Sequence, residues 1–238
     1  MYILLSTQSA MERSLKFRID KLGKGNLAEI INVEKKAFIP PIQASKETIV
    51  GRLEKGHTYL GVYEGDHLVG TSAFRYVQFN PDLEEFVRRY PSFEEYANSP
   101  NDKDVNGMVI YNLGVIPEYR GGRNASLLLS HAFSIAKDKG LDYVIGDGRI
   151  PSYNGGYDYP SHERFERNPL IRETIDRSLK EGTLPDREIL KKDPITGFYL
   201  LAIPNVKILG VTDEKFCAED RPTGGRKVIV YVDLTEEK

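Results

Sequence analysis

The order of hydrophobic and polar positions changes its period at the centre of this chain. Residues 108–115 form an apolar run, which is typical of a buried strand. Pro117 ends that run, and a turn rich in Gly and Arg follows it. After the turn, apolar residues recur at steps of three and four, which predicts an amphipathic helix: Ala125, Leu128, Leu129, Ala132, Ile135 and Ala136. Gly140 is placed to cap the end of that helix.

Shorter patterns on both sides of this unit predict the other strands of a sheet. Residues 14–20 alternate as a strand does. Two apolar runs, at residues 58–63 and 67–77, flank Glu64-Gly65-Asp66 and predict a β-hairpin. Residues 141–146 form a second buried strand after the central helix, so strand, helix and strand make one unit with a parallel crossover.

Helices are predicted before the hairpin and in the second half of the chain. Asn26 and Ser45 can cap helices over residues 26–38 and 46–54. Asn168, followed by Pro169, can start a later helix. The buried side of that helix is expected to carry Ile171, Ile175 and Leu179.

The last two strands are expected at residues 198–203 and 227–232, both of them apolar. The loop between them, at residues 209–225, contains a polar run. We expect that loop to pass over the surface.

Composition excludes several classes of function. The chain has 33 basic and 35 acidic residues and a formal net charge of −2, so no global field calls for nucleic acid or an anionic membrane. Its one cysteine, Cys217, rules out an internal disulfide framework and a cysteine-rich metal site, and we predict no metal. The N-terminal apolar run has four residues, too few for a signal or membrane segment, so we expect a cytoplasmic protein.

The turn before the central helix has the chemistry of a phosphate site. A strand that feeds a Gly-containing turn at a helix N-terminus leaves unpaired backbone N–H groups, which together with the helix dipole suit a phosphate or pyrophosphate. Arg120 and Arg123 flank the turn, and each can add a charge-assisted contact. An ordinary turn without a ligand is the alternative. The chain has no P-loop lysine motif and no G-x-G-x-x-G, which disfavours a nucleotide-binding domain of another kind.

The residues of this turn, V-I-P-E-Y-R-G-G-R-N-A, resemble the acyl-CoA signature Q/R-x-x-G-x-G/A of the GNAT family of N-acetyltransferases. Arg120 matches the first position of the signature, and Ala125 matches the last. Arg123 stands where the family has Gly, whose missing side chain lets the backbone approach a pyrophosphate. Here the Gly is displaced by one position, to Gly122, and we expect the cradle to survive with a shifted contact.

The resemblance implies a fold: a single GNAT-like α/β domain over residues 1–238, with a mixed, splayed central sheet flanked by helices. The core is expected over about residues 14–234, with two elaborations near residues 80–106 and 157–190. The first elaboration is either a solvated helix that packs its aromatic residues on the sheet edge or a lid over the acceptor site. Its helical spacing is carried by Leu83, Phe86, Val87 and Tyr90.

The resemblance also implies ligands. It predicts acetyl-CoA as co-substrate and a small-molecule amine as acceptor, and it leaves a homodimer open. A main-chain N–H of the central strand, near its bulge, would bind the thioester oxygen. The residues expected to bind the co-substrate are Leu113, Gly114, Val115, Arg120, Gly121, Gly122, Arg123, Asn124 and Ala125.

A second polar, Gly-rich stretch follows the strand at residues 141–146 and begins with Asp147. Open α/β sheets bind ligands at the C-terminal ends of their parallel strands, and the GNAT sheet splays apart at this place. The sequence G-R-I-P-S-Y in this stretch resembles the GRIPGY-like sequence of GNAT modules that are joined to nitrilase-like amidohydrolases. No nitrilase domain is present in this chain.

For catalysis, the resemblance leaves the general acid unassigned. The family's usual acid is a Tyr four residues before the Gly of a Gly-Phe pair, here Gly197, and that position is Asp193. Tyr153 is the substitute candidate, with stacking on the pantetheine or packing of a turn as its alternative. Asp147 or Glu118 can act as a base, directly or through water. The alternative for each is a structural role: Asp147 as a turn or cap residue, and Glu118 as part of the exposed turn.

These residues together predict an acyl-CoA-dependent N-acyltransferase. Arg149 can hold a substrate carboxylate, or form a salt bridge with Asp147 or Glu118. Direct attack is preferred to a covalent acyl-enzyme because Cys217 is poorly placed in sequence for a nucleophile. The alternative is a CoA-binding module that has lost catalysis and acts as a sensor or partner domain, and turnover separates the two.

Overall fold

One short parallel contact joins two antiparallel halves of the central sheet. The computed structural model describes residues 17–158 and 163–237, with the strands β1 (Phe17–Leu22), β2 (Thr58–Glu64), β3 (His67–Val77), β4 (Gly107–Val115), β5 (Tyr143–Arg149), β6 (Gly156–Asp158), β7 (Glu163–Phe165), β8 (Lys207–Val211) and β9 (Lys227–Asp233). Seven of them pair in the order β1-β2-β3-β4-β5-β9-β8, and β6 pairs with β7 separately. Only the β4–β5 contact is parallel within the seven-stranded sheet.

Helices cover both faces of this sheet. They are α1 (Leu27–Ala37), α2 (Lys46–Glu54), α3 (Leu83–Arg89), α4 (Phe93–Asn98), α5 (Asn124–Asp138), α6 (Pro169–Glu181), α7 (Arg187–Leu190) and α8 (Thr196–Ala202). Alternate residues of β9 enter two different cores: Val228 and Val230 pack with the apolar stripe of α5, whereas Ile229 packs with that of α1. The predicted mixed α/β sheet with flanking helices is therefore confirmed.

Local sequence signals account for most of these boundaries. Gly140 has a positive φ of 69° directly after the end of α5, as a C-terminal cap requires. The Asn168 side chain accepts hydrogen bonds from the N–H groups of Leu170 and Ile171 at the start of α6. The first predicted strand appears as β1, and residues 14–16 of that prediction lie outside the described residues, as do residues 159–162 of the second elaboration.

One predicted strand is wrong. Residues 198–203 lie almost entirely in helix α8, and the strand that occupies this place in the sheet is β8, a few residues later. The turn before α8 is held by Asp193, whose Oδ1 accepts hydrogen bonds from the N–H groups of Ile195 and Thr196 at 3.0 and 2.9 Å. A short apolar run does not by itself distinguish a strand from a helical turn. Gly197 therefore does not open a strand, and a catalytic Tyr position cannot be counted back from it.

The buried side of α6 also differs from the prediction. Ile171 and Ile175 are buried as expected, but Leu179 is 37% exposed. Thr174 and Ser178 take up the rest of the buried face. The Ser178 hydroxyl can be buried because it donates a hydrogen bond to the carbonyl oxygen of Thr183.

The loop between β8 and β9, residues 212–226, passes over the surface only in part, whereas the prediction placed all of it there. Phe216, Cys217 and Asp220 are all buried. Gly225 has a φ of 78°, and a Cβ atom there would overlap with the carbonyl oxygen of Glu214, so this turn needs glycine. We call this segment the β8–β9 loop.

Helices α3 and α4 join the two halves of the molecule through aromatic packing. Phe86 of α3 and Tyr96 of α4 contact Phe216 of the β8–β9 loop, with ring centroids 6.5 and 6.0 Å apart. The backbone N–H of Phe93 donates to the carbonyl oxygen of Phe216 at 2.6 Å. The aromatic residues of this segment are thus packed, as one of the two interpretations expects, and α4 also borders the cavity described below.

In the part of the chain that the structure describes, no helix combines the length and the apolar character needed to cross a bilayer.

Replacing Phe216 with Ala should weaken the whole fold. The Phe216 side chain is 2% exposed, and removing it leaves a cavity between α3, α4 and the loop, so we expect a loss of about 3–5 kcal/mol in the free energy of unfolding. Urea unfolding measures this loss. The matched control is Leu201→Ala, since Leu201 is 70% exposed and should change stability by less than about 0.5 kcal/mol. Equal effects of the two substitutions would contradict the packing described here.

Candidate functional site

Strands β4 and β5 separate soon after they begin to pair. Their parallel register runs only from Gly107 opposite Tyr143 to Ile110 opposite Gly146. Beyond these residues β4 stays paired with β3 and β5 stays paired with β9. A cavity of about 880 Å³ lies in and around the resulting gap. The splay expected in the sheet is therefore present, and it opens into this cavity.

A β-bulge aims two consecutive side chains of β4 at the same face. Ala73 of β3 lies opposite Asn112, but the next residue, Phe74, lies opposite Ile110, so Tyr111 is the extra residue. Tyr111 contacts His57 on the α1 face, and Asn112 donates to Glu34 Oε2 on the same face at 3.1 Å. The bulge thus turns polar groups toward one wall of the cavity.

Within the described ranges, no strand pairs with the edge of β4 that faces the gap over residues 113–115. Leu113, Gly114 and Val115, which the sequence predicts to bind the co-substrate, all line the cavity. Gly114 is also packed tightly from behind, because a Cβ atom there would lie 2.7 Å from the Phe38 ring. The backbone of this segment is therefore held firmly and has its free hydrogen-bonding edge on the cavity side.

The turn after β4 leaves the N-terminus of α5 open. No side chain caps the first turn of α5 among the described residues. Gly121 has a φ of 73°, and Cβ atoms built on Gly121 or Gly122 would meet nothing closer than 4.0 Å. Open space therefore lies in front of this backbone, and the geometry suits an anionic group bound by N–H donors and the helix dipole.

The predicted side chains of the turn divide into two groups. Arg120, Gly121, Gly122 and Ala125 line the cavity, whereas Arg123 and Asn124 do not. Arg120 also holds the turn, because its Nε and Nη2 atoms donate to the carbonyl oxygens of Val115 and Ala37, each at 3.0 Å. Asn124 is buried, and its Nδ2 donates to the carbonyl oxygen of Tyr119 at 3.1 Å.

Asp147 is the predicted base that the structure brings to the cavity. It lies on β5 just beyond the point of separation, and this half-buried residue lines the cavity. Burial raises the pKa of Asp147 to about 6, and nearby Lys227 partly offsets this effect. Glu118 lies in the exposed turn outside the cavity.

Tyr153, the predicted substitute acid, does not line the cavity. Its hydroxyl donates to Asp176 of α6. A tyrosine that does line the cavity is Tyr199 of α8, which sequence reasoning missed because it placed this residue in a strand. Burial raises the pKa of Tyr199 well above its ordinary value, and the neighbouring Asp147 raises it further, so the hydroxyl keeps its proton.

A network of buried charged side chains lies close to Asp147. Arg149 donates to both oxygens of Asp220, each at 2.8 Å, and Lys227 Nζ donates to Asp220 Oδ2 at 3.0 Å. Burial alone would raise the pKa of Asp220, but Lys227 and Arg149 hold it at about 2. Arg149 thus forms an ion pair with Asp220, which is neither of the two carboxylates considered from sequence.

Cys217 lies in the wall of the same cavity, so its distance along the chain is no argument against a role there. Burial raises the pKa of the Cys217 thiol, although Lys227 acts against this. A neutral thiol is a weak nucleophile. In the described ranges, 17–158 and 163–237, no group of three or more His, Cys, Asp and Glu side chains is placed to hold a metal ion.

Sequence reasoning also missed Glu34 of α1 and Arg52 of α2, which line the cavity on the face opposite α5. Glu34 is 3% exposed. Its oxygens accept hydrogen bonds from the Ala44 N–H at 2.7 Å and from Asn112 Nδ2 at 3.1 Å. A Glu on an amphipathic helix is most often solvated, and only its contact with β4 marks it as part of the site.

A splayed sheet with an open helix N-terminus at one end of its gap defines an α/β protein built to receive an extended, partly anionic ligand. A model of the Acetyltransferase (GNAT) family matches residues 27–148, which are 122 of the 238 residues. The chain therefore belongs to the GNAT acetyltransferase family. A search of curated proteins finds no match.

Solved structures of similar fold cover nearly the whole chain. The GphF GNAT-like decarboxylase in complex with isobutyryl-CoA has a TM-score of 0.66 and 19% identity, over 91% of this chain and 99% of that one. The loading GNATL domain of CurA from Lyngbya majuscula has a TM-score of 0.65 and 15% identity, over 92% and 98%. The ribosomal-protein-S18-alanine N-acetyltransferase from Escherichia coli has a TM-score of 0.54 and 9% identity, over 92% and 94%. At these identities the likeness shows the fold.

Asp147 should make the folded protein less stable as the pH rises. Its pKa is 3.8 ordinarily and about 6 when folded, so the folded state binds more protons between those values and loses stability as pH increases through them. Asp147→Asn, which cannot ionise, should therefore be more stable than the wild type at pH 7. The gain should be at most about 3 kcal/mol, because the cavity screens the charge, and should vanish near pH 4. Urea unfolding at both pH values measures it.

Asp220→Asn should change the free energy of unfolding at pH 7 in the opposite direction. The pKa of Asp220 is lowered, so its contribution is present above its ordinary 3.8 and is lost only as the pH falls toward 2. Removing this carboxylate at pH 7 leaves Lys227 and Arg149 buried without it and should cost about 3–5 kcal/mol. Changes of the same sign for the two variants would contradict the assigned charge network.

Proposed function

We propose that this protein is an acyl-CoA-dependent N-acyltransferase that moves an acetyl group from acetyl-CoA to a small-molecule amine by direct attack. One observation carries the proposal. A continuous cavity is lined by the open turn at Gly121 and Gly122, by the free edge of β4, and by Asp147 and Tyr199. Phosphate-binding backbone, a strand edge and two proton-transfer groups thus border one space.

The residues of the cavity fit acetyl-CoA. Its pyrophosphate suits the uncapped N–H groups of α5, since no Cβ stands in front of Gly121 and Gly122. Its extended pantetheine suits the gap between β4 and β5, where apolar Leu129 and Val230 contribute to the lining. The backbone N–H groups near Leu113–Val115 supply donors for the thioester oxygen.

In the proposed reaction, the amine nitrogen forms a bond to the thioester carbonyl carbon, and the carbon–sulfur bond breaks. Asp147 takes the proton that the amine loses and releases it to solvent, a task that suits a carboxylate with a pKa of about 6. The Tyr199 hydroxyl, which is protonated before the reaction, donates its proton to the departing thiolate and is reprotonated by solvent. The neutral thiol of Cys217 favours direct attack over an acyl-enzyme.

The alternative is a CoA-binding module without turnover that acts as a sensor or partner domain. It is favoured by one observation: Tyr153 lies outside the cavity and Tyr199 is not at the position expected for the family's acid. The narrower likeness to modules joined to nitrilase-like enzymes, a cytoplasmic location and a homodimer stay predictions.

Binding of acetyl-CoA is tested by placing a charge in the turn. Gly122 has room for a side chain, so Gly122→Asp and its isostere Gly122→Asn should both fold, and they differ only in charge. Because a carboxylate there repels the pyrophosphate, we expect Gly122→Asp to bind acetyl-CoA at least about tenfold more weakly than Gly122→Asn. Isothermal titration calorimetry measures both. Equal affinities would place the pyrophosphate elsewhere.

Turnover is tested through the pH profile of acetyl transfer to small amines. The wild-type rate under kcat conditions should rise with pH through an apparent pKa near 6, since Asp147 acts as a base only when ionised. Asp147→Asn should lose this step and fall by about 10²-fold or more. Binding of acetyl-CoA without any transfer would favour the silent module.

The two tyrosine candidates are compared by the same substitution. Tyr199→Phe should lower kcat about 10-fold or more, because it removes the proton donor of the cavity. Tyr153→Phe should change the rate less than about twofold, because its hydroxyl contacts Asp176 away from the cavity. The reverse order would return the role of acid to Tyr153.

A further inference from the structure

The wall of the cavity opposite α5 carries features that the acyl-CoA end does not require. This wall is built by α1, α2, α4 and the β8–β9 loop, and we call it the acceptor wall. The inference drawn from it rests on the proposed function and concerns which amine is accepted. Its buried polar side chains include Glu34 and Arg52, and its other polar ones include Asn98, Thr48, Glu94, Lys215 and Glu219. Its aromatic side chains include Phe93 and Phe216, and Tyr111 of β4 lies beside them.

Helix α4 closes the acceptor wall because it is hydrogen-bonded both to the end of α2 and to the β8–β9 loop. On one side, Arg52 Nε donates to Asn98 Oδ1 at 2.8 Å, and Lys55 Nζ donates to the Asn98 carbonyl oxygen at 2.6 Å. On the other side, the Phe93 N–H donates to the Phe216 carbonyl oxygen at 2.6 Å. A bridge across both sides leaves room for a small molecule and obstructs a protein chain.

Arg52 is a buried cation without a close counter-ion. The residue is 6% exposed and lines the cavity. In the described part of the chain, no carboxylate oxygen lies within 4.0 Å of its nitrogens. The carboxylate of Glu34 attracts Arg52 from a distance, but its oxygens accept hydrogen bonds from Ala44 and Asn112 and form no direct ion pair with Arg52. A buried charge of this kind is costly unless a partner compensates it.

A second buried guanidinium increases the positive field behind this wall. Arg75 is fully buried, and its Nε and Nη1 atoms donate to the carbonyl oxygens of Tyr96 and Pro100 at 2.9 and 3.3 Å. Its Nη2 is buried with no hydrogen-bond partner. Burial lowers the pKa of His57 to about 4, helped by Arg75 and Arg52. This imidazole therefore stays neutral and adds no further positive charge.

We infer that the acceptor is a small amine that also carries a carboxylate, and that Arg52 binds this carboxylate on the acceptor wall. A guanidinium offers a fork of N–H donors that matches a carboxylate, and such charge-assisted pairs are strong when buried. Aromatic Phe93, Tyr111 and Phe216 beside it suit an apolar or aromatic portion of the same molecule. The bound carboxylate compensates the charge of Arg52 and fixes the orientation of the amine.

The experiment compares acceptors that differ by one carboxylate: tyrosine with tyramine, and lysine with cadaverine. With acetyl-CoA saturating, we expect kcat/KM for each amino acid to exceed that of its decarboxylated partner by about tenfold or more. Phosphoethanolamine and ethanolamine form a third pair, which shows whether a phosphate serves in place of a carboxylate. A preference for the phosphate pair alone would overturn the carboxylate assignment.

Substitution of Arg52 identifies the group responsible. Arg52→Gln should reduce kcat/KM for the amino acids to the level of their decarboxylated partners and leave those partners within about twofold. Arg52→Lys keeps the positive charge but lacks the forked N–H donors of a guanidinium, so it should show an intermediate loss of kcat/KM for the amino acids. This variant replaces Arg52→Gln in the test if Arg52→Gln fails to fold. The control is Arg177→Gln, an exposed residue of α6 paired with Glu173, which should change none of these values.

Failure of this inference is distinguishable from failure of the proposed function. Acetylation of tyramine and cadaverine as fast as of the amino acids would leave an acetyltransferase and overturn the role of Arg52. If nothing is acetylated, titration of tyrosine and of tyramine into the CoA-bound protein decides. Binding of tyrosine alone, lost in Arg52→Gln, would support the anion site on a silent module. Binding of neither would overturn the inference.

Discussion

The early end of pairing between β4 and β5 is the constraint on which the rest of this site depends. After Ile110 and Gly146 each strand keeps its other partner, so the two backbones diverge without unfolding either half of the sheet. The backbone groups left along the gap must be satisfied by something other than a strand. Binding an extended ligand there is therefore a consequence of the topology, and the side chains only decide which ligand it is.

Polar groups around the gap come from elements far apart in the chain, and this explains the limits of sequence reasoning. The strand–turn–helix unit, the hairpin, the cap at Asn168 and Gly140 follow from signals within a few residues, and all of them are present in the structure. By contrast, Glu34 meets Asn112 across 78 positions, and Arg149 meets Asp220 across 71. No local pattern distinguishes such a Glu or Asp from a solvated one.

The wrong strand at residues 198–203 shows a second kind of limit. Its apolar residues serve equally well in a buried helical turn, and the outcome was decided by Asp193, whose carboxylate binds the N–H groups of Ser152, Ile195 and Thr196. The resemblance to the Gly-Phe pair that begins a strand in the family did not resolve this ambiguity between strand and helix. As a result the sequence did not reveal Tyr199 as a tyrosine of the cavity, and the position counted back from Gly197 fell on Asp193, whose buried carboxylate holds a turn.

The close approach of Phe38 to Gly114 has a consequence for divergence and redesign. Since no side chain fits at position 114 without displacing that ring, α1 and β4 form one stiff wall whose spacing cannot be adjusted by substitution there. The opposite boundary is made of a short helix and a loop. A change in the size or shape of the acceptor can therefore be accommodated only by α4 and the β8–β9 loop. These two segments form the adaptable side of a cavity whose other walls are rigid.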